Sequence, residues 1–236
     1  MIAYHFLKAD FTAGFGDEPP WKVGETRTVA EPSRIKLCEY GYHTSPTLRG
    51  ALQYAQGPIA CLDDISEPLD RDESRQVSAT RTLVAAVNVE RELRLFAADC
   101  AEHVLPIFER AYAGDRSPRE AIAAARAFAE GKIGPTKLAA ARAGAEEAAL
   151  GADGDGGWAA AYAANAARGA THTIGCATSA AAWYAAWAAG EDGADPSWAA
   201  GEDGADPSWG AAHAAEEKWQ RARFEERLGG IFEAAR

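Results

Sequence analysis

The spacing of apolar residues changes near Val89, and this change constrains the fold more than any other feature of the sequence. Before Val89, short apolar segments such as 59–62 and 81–87 are separated by turn residues, a pattern typical of strands. After it, apolar residues recur every three or four positions, as on one face of a helix. We therefore predict an α+β protein, with a small mixed α/β module over residues 1–95 and an alanine-rich α-helical bundle over residues 96–236.

Capping and turn residues predict several element boundaries. The alternation of apolar and polar residues over 35–38 predicts a half-buried strand. Ser45 is predicted to cap a short helix that begins at Pro46. Residues 117–120, with the sequence SPRE, predict a capping box at the start of a longer helix. The glycines of 151–157 predict a break between helices.

The chain of 236 residues carries a formal net charge of −11. This charge argues against direct binding of nucleic acid, which favours a basic surface, and against an anionic membrane. The natural complement is another protein with a basic surface, although acidity can also serve solubility alone.

The first residues, MIAYHFLKAD, lack the basic and apolar regions of a signal peptide, so we expect a cytoplasmic protein. The spacing of the cysteines and histidines predicts no metal site, and no phosphate-binding loop or other cofactor motif is present in the sequence. The four cysteines are widely scattered, without a CxxC pair: Cys38, Cys61, Cys100 and Cys176.

A perfect tandem repeat of the eleven residues WAAGEDGADPS occupies residues 187–208. Its tryptophans are Trp187 and Trp198, and Trp209 follows directly. Glycine and proline within each copy exclude one continuous helix and favour a solvent-facing loop or helix–loop pair. The tryptophans could form binding hot spots or could fill space between alanine-rich helices.

Two parts of the chain resemble known families. Leu37-Cys38, the Gly41-Tyr42-His43 turn and residues 51–54 together resemble a domain of unknown function that is common in phage and prophage proteins. That resemblance covers residues 1–95. The segments 100–109, 115–122 and 125–129 resemble a helical family of immunity proteins, which implies binding to a partner protein.

A third resemblance links the turn at Gly41, the helix after it and the strand at 59–62 to ADP-ribosyltransferase folds. It implies that His5 together with Tyr42 or Tyr54 would hold the nicotinamide end of NAD. The late glutamate of those enzymes has no clear counterpart, with Glu90 and Glu92 only nearby.

His43 is a candidate binding residue because a histidine two residues after a turn glycine can contact a ligand or transfer a proton. The alternative is a histidine whose ring nitrogens hydrogen-bond the backbone of the turn. We select His43, Tyr42, Tyr54, His5, Trp187, Trp198 and Trp209 as binding candidates, and no catalytic residues.

From the sequence, we expect a phage- or prophage-type accessory protein. It would block a toxin or a host defence component by binding it, without chemistry of its own. One alternative is an ADP-ribosyltransferase-like enzyme that binds NAD. A second alternative is a structural or virion-associated module.

Overall fold

The computed structural model describes residues 1–13, 18–155, 157–170, 177–193 and 207–233. The chain divides into two compact units. The first, which we call the sheet unit, consists of Met1–Glu90 and the segment that begins at Leu228. The second, the helical unit, consists of Arg91–Arg227. The α+β class predicted from the sequence is confirmed.

The sheet unit contains two antiparallel sheets. The strands are β1 (Ile2–Leu7), β2 (Thr26–Thr28), β3 (Tyr42–Thr44), β4 (Ile59–Ile65), β5 (Asp70–Arg71), β6 (Gln76–Ser78) and β7 (Thr80–Asn88). The larger sheet has the order β1-β4-β7-β2 and the smaller one the order β3-β6-β5. A 3-10 helix at Pro32–Arg34 and a short helix, α1 (Leu48–Leu52), lie between strands in the sequence.

One face of the larger sheet carries a hydrophobic core. Leu7 on β1 lies opposite Ile59 on β4, and Cys61 follows on the same face two residues later. Trp21, from the loop after β1, packs on this face with Leu83 of β7. The core is nearly closed to solvent, because each of these five residues is at most 4% exposed.

Two predictions for the segment before α1 are wrong. Residues 35–38 form no strand, because the chain turns at Cys38, whose φ of 64° is left-handed. Ser45 does not cap the helix, because its backbone N–H and C=O pair with Tyr4 of β1. The cap is Thr47, whose side chain accepts a hydrogen bond of 3.0 Å from the N–H of Gly50.

Six helices follow the sheets within the described residues. They are α2 (Glu90–Ala111), α3 (Ser117–Ala129), α4 (Pro135–Asp155), α5 (Gly157–Ala170), α6 (Ala177–Gly193) and α7 (Pro207–Leu228). Alanines on α5 and α6, including Ala164, Ala167, Ala181 and Ala185, are fully buried. None of the helices in the described ranges is long and apolar enough to cross a membrane.

The predicted boundaries of α3 and α4 also need correction. Ser117 is inside α3 rather than at its cap, because the side chain of Asp115 accepts the hydrogen bond from the Ser117 N–H at 2.8 Å. The break predicted over 151–157 is shorter in the structure, because α4 continues past Gly151 to Asp155 and α5 begins at Gly157. Most of the tandem repeat, residues 194–206, lies outside the described residues.

Candidate functional sites

A cavity of about 830 Å³ opens in the sheet unit. Four binding candidates from the sequence, His5, Tyr42, His43 and Tyr54, all line it. They come from β1, from β3 and from the segment after α1, so the tertiary fold brings them together. The volume lies within the range of roughly 300–1,000 Å³ that is usual for small-molecule sites. The binding role of these residues stays a prediction.

Both ring nitrogens of His43 are engaged by backbone groups. The N–H of Cys38 donates to Nε2 at 2.8 Å, and Nδ1–H donates to the carbonyl oxygen of Gly41 at 3.0 Å. Partial burial holds the pKa of His43 below its ordinary value, so the ring is neutral near pH 7. This is the geometry of a histidine that stabilises a turn, the alternative that the sequence left open.

The same turn explains the glycine before Tyr42. Gly41 has a φ of 122°, and a Cβ atom there would lie 2.4 Å from Cγ2 of the buried Val77. Only glycine fits this position without strain. Beside the turn, the exposed Cys38 accepts a hydrogen bond of 2.9 Å from Arg75. Both residues line the cavity.

His5 has a different environment from His43. It is 9% exposed, and its Nδ1–H donates to the carboxylate of Asp63, which is fully buried on β4. Burial, reinforced by the positive charge of Arg81, lowers the pKa of His5 although Asp63 opposes this shift. His5 is therefore neutral near pH 7, and its Nε2 presents a lone pair that has no partner among the described residues.

Arg81 completes this polar group from β7. Its guanidinium lies 4.2 Å from the ring centroid of Trp21, and that of Arg27 on the paired strand lies 4.0 Å from the same ring. Glu18 accepts a hydrogen bond from Trp21 at 3.0 Å and lies 3.9 Å from Arg81 and 3.7 Å from Arg27. These cation–π contacts and ion pairs stabilise the side chain of Arg81, which is only 5% exposed.

Sequence reasoning missed Asp63 and Arg81. The available signal was a charged residue within or beside each of two largely apolar segments, but a charged residue in a strand normally faces solvent. Among the described residues, Glu18 and Glu39 are the acidic residues that line the cavity, so the suggested glutamates do not line it. The ADP-ribosyltransferase hypothesis therefore stays a prediction that rests on His5, Tyr42 and Tyr54 alone.

The helical unit holds a different polar cluster around Asp99 of α2, which is 5% exposed. One carboxylate oxygen forms an ion pair with Arg126 of α3, with 2.8 Å between nitrogen and oxygen. The other accepts from Arg223 at 2.7 Å and Arg227 at 2.5 Å, both on α7. Burial raises the pKa of Asp99, but the hydrogen bonds from the two α7 arginines outweigh burial and leave it below its ordinary value.

A shallow cavity of about 490 Å³ lies beside Asp99. The ring of His103 stacks on Trp219 with centroids 3.9 Å apart, and its Nδ1 lies 2.5 Å from the buried carboxylate of Glu216. Gln220 donates to the other oxygen of Glu216 at 2.9 Å. These contacts join α2 to α7 through polar groups.

Four aromatic residues on α5 and α6 form what we call the α5–α6 aromatic cluster: Tyr162, Trp183, Tyr184 and Trp187. The rings of Trp183 and Trp187 are 5.3 Å apart, and both lie near Tyr162. Trp183 is 51% exposed despite these contacts. Of the predicted tryptophans, Trp187 belongs to this cluster, Trp198 lies outside the described residues, and Trp209 is on α7 with its side chain outside them.

Within the described residues, no group of three or more His, Cys, Asp or Glu side chains could hold a metal ion. The three cysteines described, Cys38, Cys61 and Cys100, are not joined by disulfides. Burial raises the pKa of the Cys61 thiol, so it is protonated near pH 7.

The helical unit is the part of the chain for which a comparison with known proteins found a match. The sequence of residues 86–227 matches a family described as Imm-5 like putative immunity protein. No curated protein and no solved structure matches the chain. The resemblance of residues 1–95 to a phage domain stays a prediction. Because the match spans more than half of the 236 residues, the chain belongs to the Imm-5 like putative immunity protein family.

Proposed function

We propose that this chain is a phage- or prophage-type immunity protein that blocks a toxin or a host defence protein by occupying part of its surface. The observation that carries this proposal is the family match, which spans residues 86–227 and so includes the helical unit from Arg91 to Arg227. The proposal assigns no chemical step to the helical unit, and inhibition follows from steric exclusion alone.

The α5–α6 aromatic cluster supports a binding role for this unit. Exposed tryptophan is uncommon on a surface without a partner, and tryptophan is enriched among the residues that dominate binding energy. Trp183 is half exposed, while its contacts with Tyr162, Tyr184 and Trp187 limit its freedom. A constrained aromatic side chain loses little conformational entropy on binding.

The negative charge of the tandem repeat supports a partner protein with a basic surface. Each copy of the repeat that begins at Trp187 contains one glutamate, two aspartates and no lysine or arginine. The acidic repeat therefore starts within the α5–α6 aromatic cluster. An acidic segment beside an exposed aromatic group favours a partner with basic residues around an apolar pocket.

The test begins with affinity purification of the tagged full chain from its host at low and high salt, followed by mass spectrometry. We expect one stoichiometric partner that is lost at high salt, since exposed charges are screened there. Expression of that partner alone should be toxic or should restrict phage growth, and co-expression of the full chain should relieve the effect. Absence of any stoichiometric partner at either salt would remove the support for the proposal.

With the purified partner, Trp183→Ala should weaken binding roughly 30-fold, the loss expected for a hot-spot tryptophan of about 2 kcal/mol. Leu69→Ala provides a control, because Leu69 is 60% exposed, belongs to the sheet unit and does not line the cavity. An equal loss in both variants would contradict the assignment of the interface to the helical unit. If the affinity for the partner did not change with salt concentration, the proposed contribution of charge to binding would be wrong.

A further inference from the structure

The sheet unit contains a group of buried polar atoms that have no hydrogen-bond partner among the described residues. They are Nε2 of His5, Oγ1 of Thr44, Oδ1 of Asp63 and Nε of Arg81. Buried polar atoms in native proteins nearly always have a hydrogen-bond partner, because an unpaired one costs about 1–3 kcal/mol. Four such atoms in one small unit indicate that something other than the described protein atoms satisfies some of them.

Three of the four residues line the same cavity, namely His5, Thr44 and Arg81. A register shift in the larger sheet places Arg81 in this group. Asp63 pairs with Leu83 while Leu62 pairs with Ala85, so Val84 is skipped. The skipped residue turns Arg81 onto the face that carries Asp63 and His5, because directly paired residues lie on one face.

The unpaired atoms define the chemistry of a ligand. The neutral ring of His5 donates through Nδ1 to Asp63, so Nε2 can only accept a hydrogen bond. Nε of Arg81 can only donate. The hydroxyl of Thr44 can do either. A complementary ligand must therefore supply both a donor and an acceptor.

The rest of the lining restricts the charge and shape of that ligand. Two arginines, Arg75 and Arg81, are balanced by Glu18 and Glu39, so the wall favours an uncharged molecule. The lining also includes three aromatic residues from outside β1 that can pack on a flat ring: Tyr40, Tyr42 and Tyr54.

We propose that the cavity of the sheet unit binds an uncharged, planar molecule that carries an amide or lactam group, with its N–H directed to His5 and its carbonyl oxygen to Arg81 and Thr44. Aromatic carboxamides and the edges of nucleobases share this chemistry. The cavity belongs to the sheet unit, whereas the proposed toxin-binding surface belongs to the helical unit, so a bound molecule would add a small-molecule input to the protein.

The test uses two probes that represent the two sources of the amide, benzamide for a carboxamide and uracil for a lactam. Single small rings are suitable because the unpaired atoms are withdrawn from bulk water. Benzoate is the matched negative probe, since it keeps the ring but has a negative charge and no N–H. We expect benzamide or uracil, but not benzoate, to shift the NMR signals of His5 and Thr44 in the full chain, and the tighter probe identifies the source.

Thr44→Val separates ligand binding from folding. The described residues offer the hydroxyl of Thr44 no hydrogen-bond partner, and valine has nearly the same shape and suits strand β3. The variant should therefore be at least as stable as the wild type. It should bind the preferred probe roughly tenfold more weakly, as expected for one lost hydrogen bond. Thr82→Val is the control, because Thr82 bonds Thr26 and does not line the cavity.

Two results would overturn the proposal. In the first, neither probe shifts the signals of His5 or Thr44 at millimolar concentration. In the second, Thr44→Val lowers the melting temperature and leaves probe binding unchanged, which would show that a structural water satisfies the hydroxyl.

Discussion

Both units bury a carboxylate among positively charged or polar side chains, but they satisfy it to different degrees. Both oxygens of Asp99 in the helical unit have arginine partners: one forms an ion pair with Arg126, and the other accepts hydrogen bonds from Arg223 and Arg227. Asp63 of the sheet unit is more deeply buried, yet one of its oxygens has no partner in the described part of the chain. The first cluster is complete and joins helices. The second is incomplete and lies beside a cavity, the arrangement expected of a site that awaits a ligand.

The difference matters because unpaired buried groups destabilise a fold. A protein retains such groups where they serve binding or catalysis, and satisfied clusters elsewhere fix the packing of its elements. The Asp99 cluster and the polar group around His5 thus suggest structural and binding roles, respectively.

The largest effect should follow from Asp99→Asn. The substitution keeps the shape of the side chain but leaves three arginines without their common negative charge. We expect the free energy of unfolding to fall by about 3 kcal/mol or more, as when one partner of a buried ion pair is removed. Urea denaturation of the purified protein measures this loss.

Glu109→Gln is the matched control for Asp99→Asn. Glu109 pairs with Arg119 at 2.7 Å in the same unit, but the two side chains are 31% and 51% exposed. Exposed ion pairs contribute little, so this variant should denature close to the wild type. Equal losses in the two variants would break the contrast between a buried cluster and a surface pair.

A smaller effect should follow from Gly41→Ala in the sheet unit. A φ of 122° and the close approach to Val77 together should cost about 2 kcal/mol. Gly24→Ala separates the two causes, because Gly24 has a φ of 86° and open space around it, and about 1 kcal/mol is expected there. Thermal or urea denaturation provides the comparison, and a larger loss at Gly24 would show that the contact with Val77 is unimportant.

The smallest effect is a pH dependence that differs between the units. Because burial lowers the pKa of His5 from 6.5, the unfolded chain takes up a proton first as the pH falls. The contribution of His5 to the free energy of unfolding is fully present above pH 6.5. It is lost as the pH falls below 6.5, by at most about 1.4 kcal/mol per pH unit. The depressed pKa of Asp99 implies a contribution that is present above pH 3.8 and is lost as the pH falls through its folded value.

Amide hydrogen exchange at pH 7.5, 5.5 and 4.5, corrected for intrinsic rates, measures each unit separately. We expect protection in the sheet unit to decline first, with that of the α2–α7 contacts retained at pH 4.5. A simultaneous decline in both units between pH 6.5 and 5.5 would contradict the assignment of the two pH windows.

Local sequence signals predicted the main elements but not all their boundaries. The apolar segments at 59–62 and 81–87 became β4 and β7, because their β-branched and aliphatic residues suit a buried sheet. The signal at Ser45 failed, because β1 uses the backbone of Ser45 as a pairing partner. A capping preference of about 1 kcal/mol yields to such a long-range pairing.

The candidate cavity was partly predictable. The turn at Gly41 drew attention to Tyr42 and His43, and an early-strand histidine and a later tyrosine were selected from a family resemblance. Asp63 and Arg81 were missed, because a charged residue in a strand normally faces solvent. Their burial depends on the register shift at Val84 and on the cover that Trp21 provides, and neither is visible in local sequence.

The sequence by itself determined the α+β class, the order of strands before helices and the membership of the immunity-protein family, since periodicity and motifs are local properties of the chain. Only the tertiary structure decided which polar residues are buried together. Register, long-range pairing and burial depend on contacts between distant segments, such as His5 with Asp63 and Asp99 with Arg227. Those contacts distinguish a completed structural cluster from an incomplete polar group that lines a cavity.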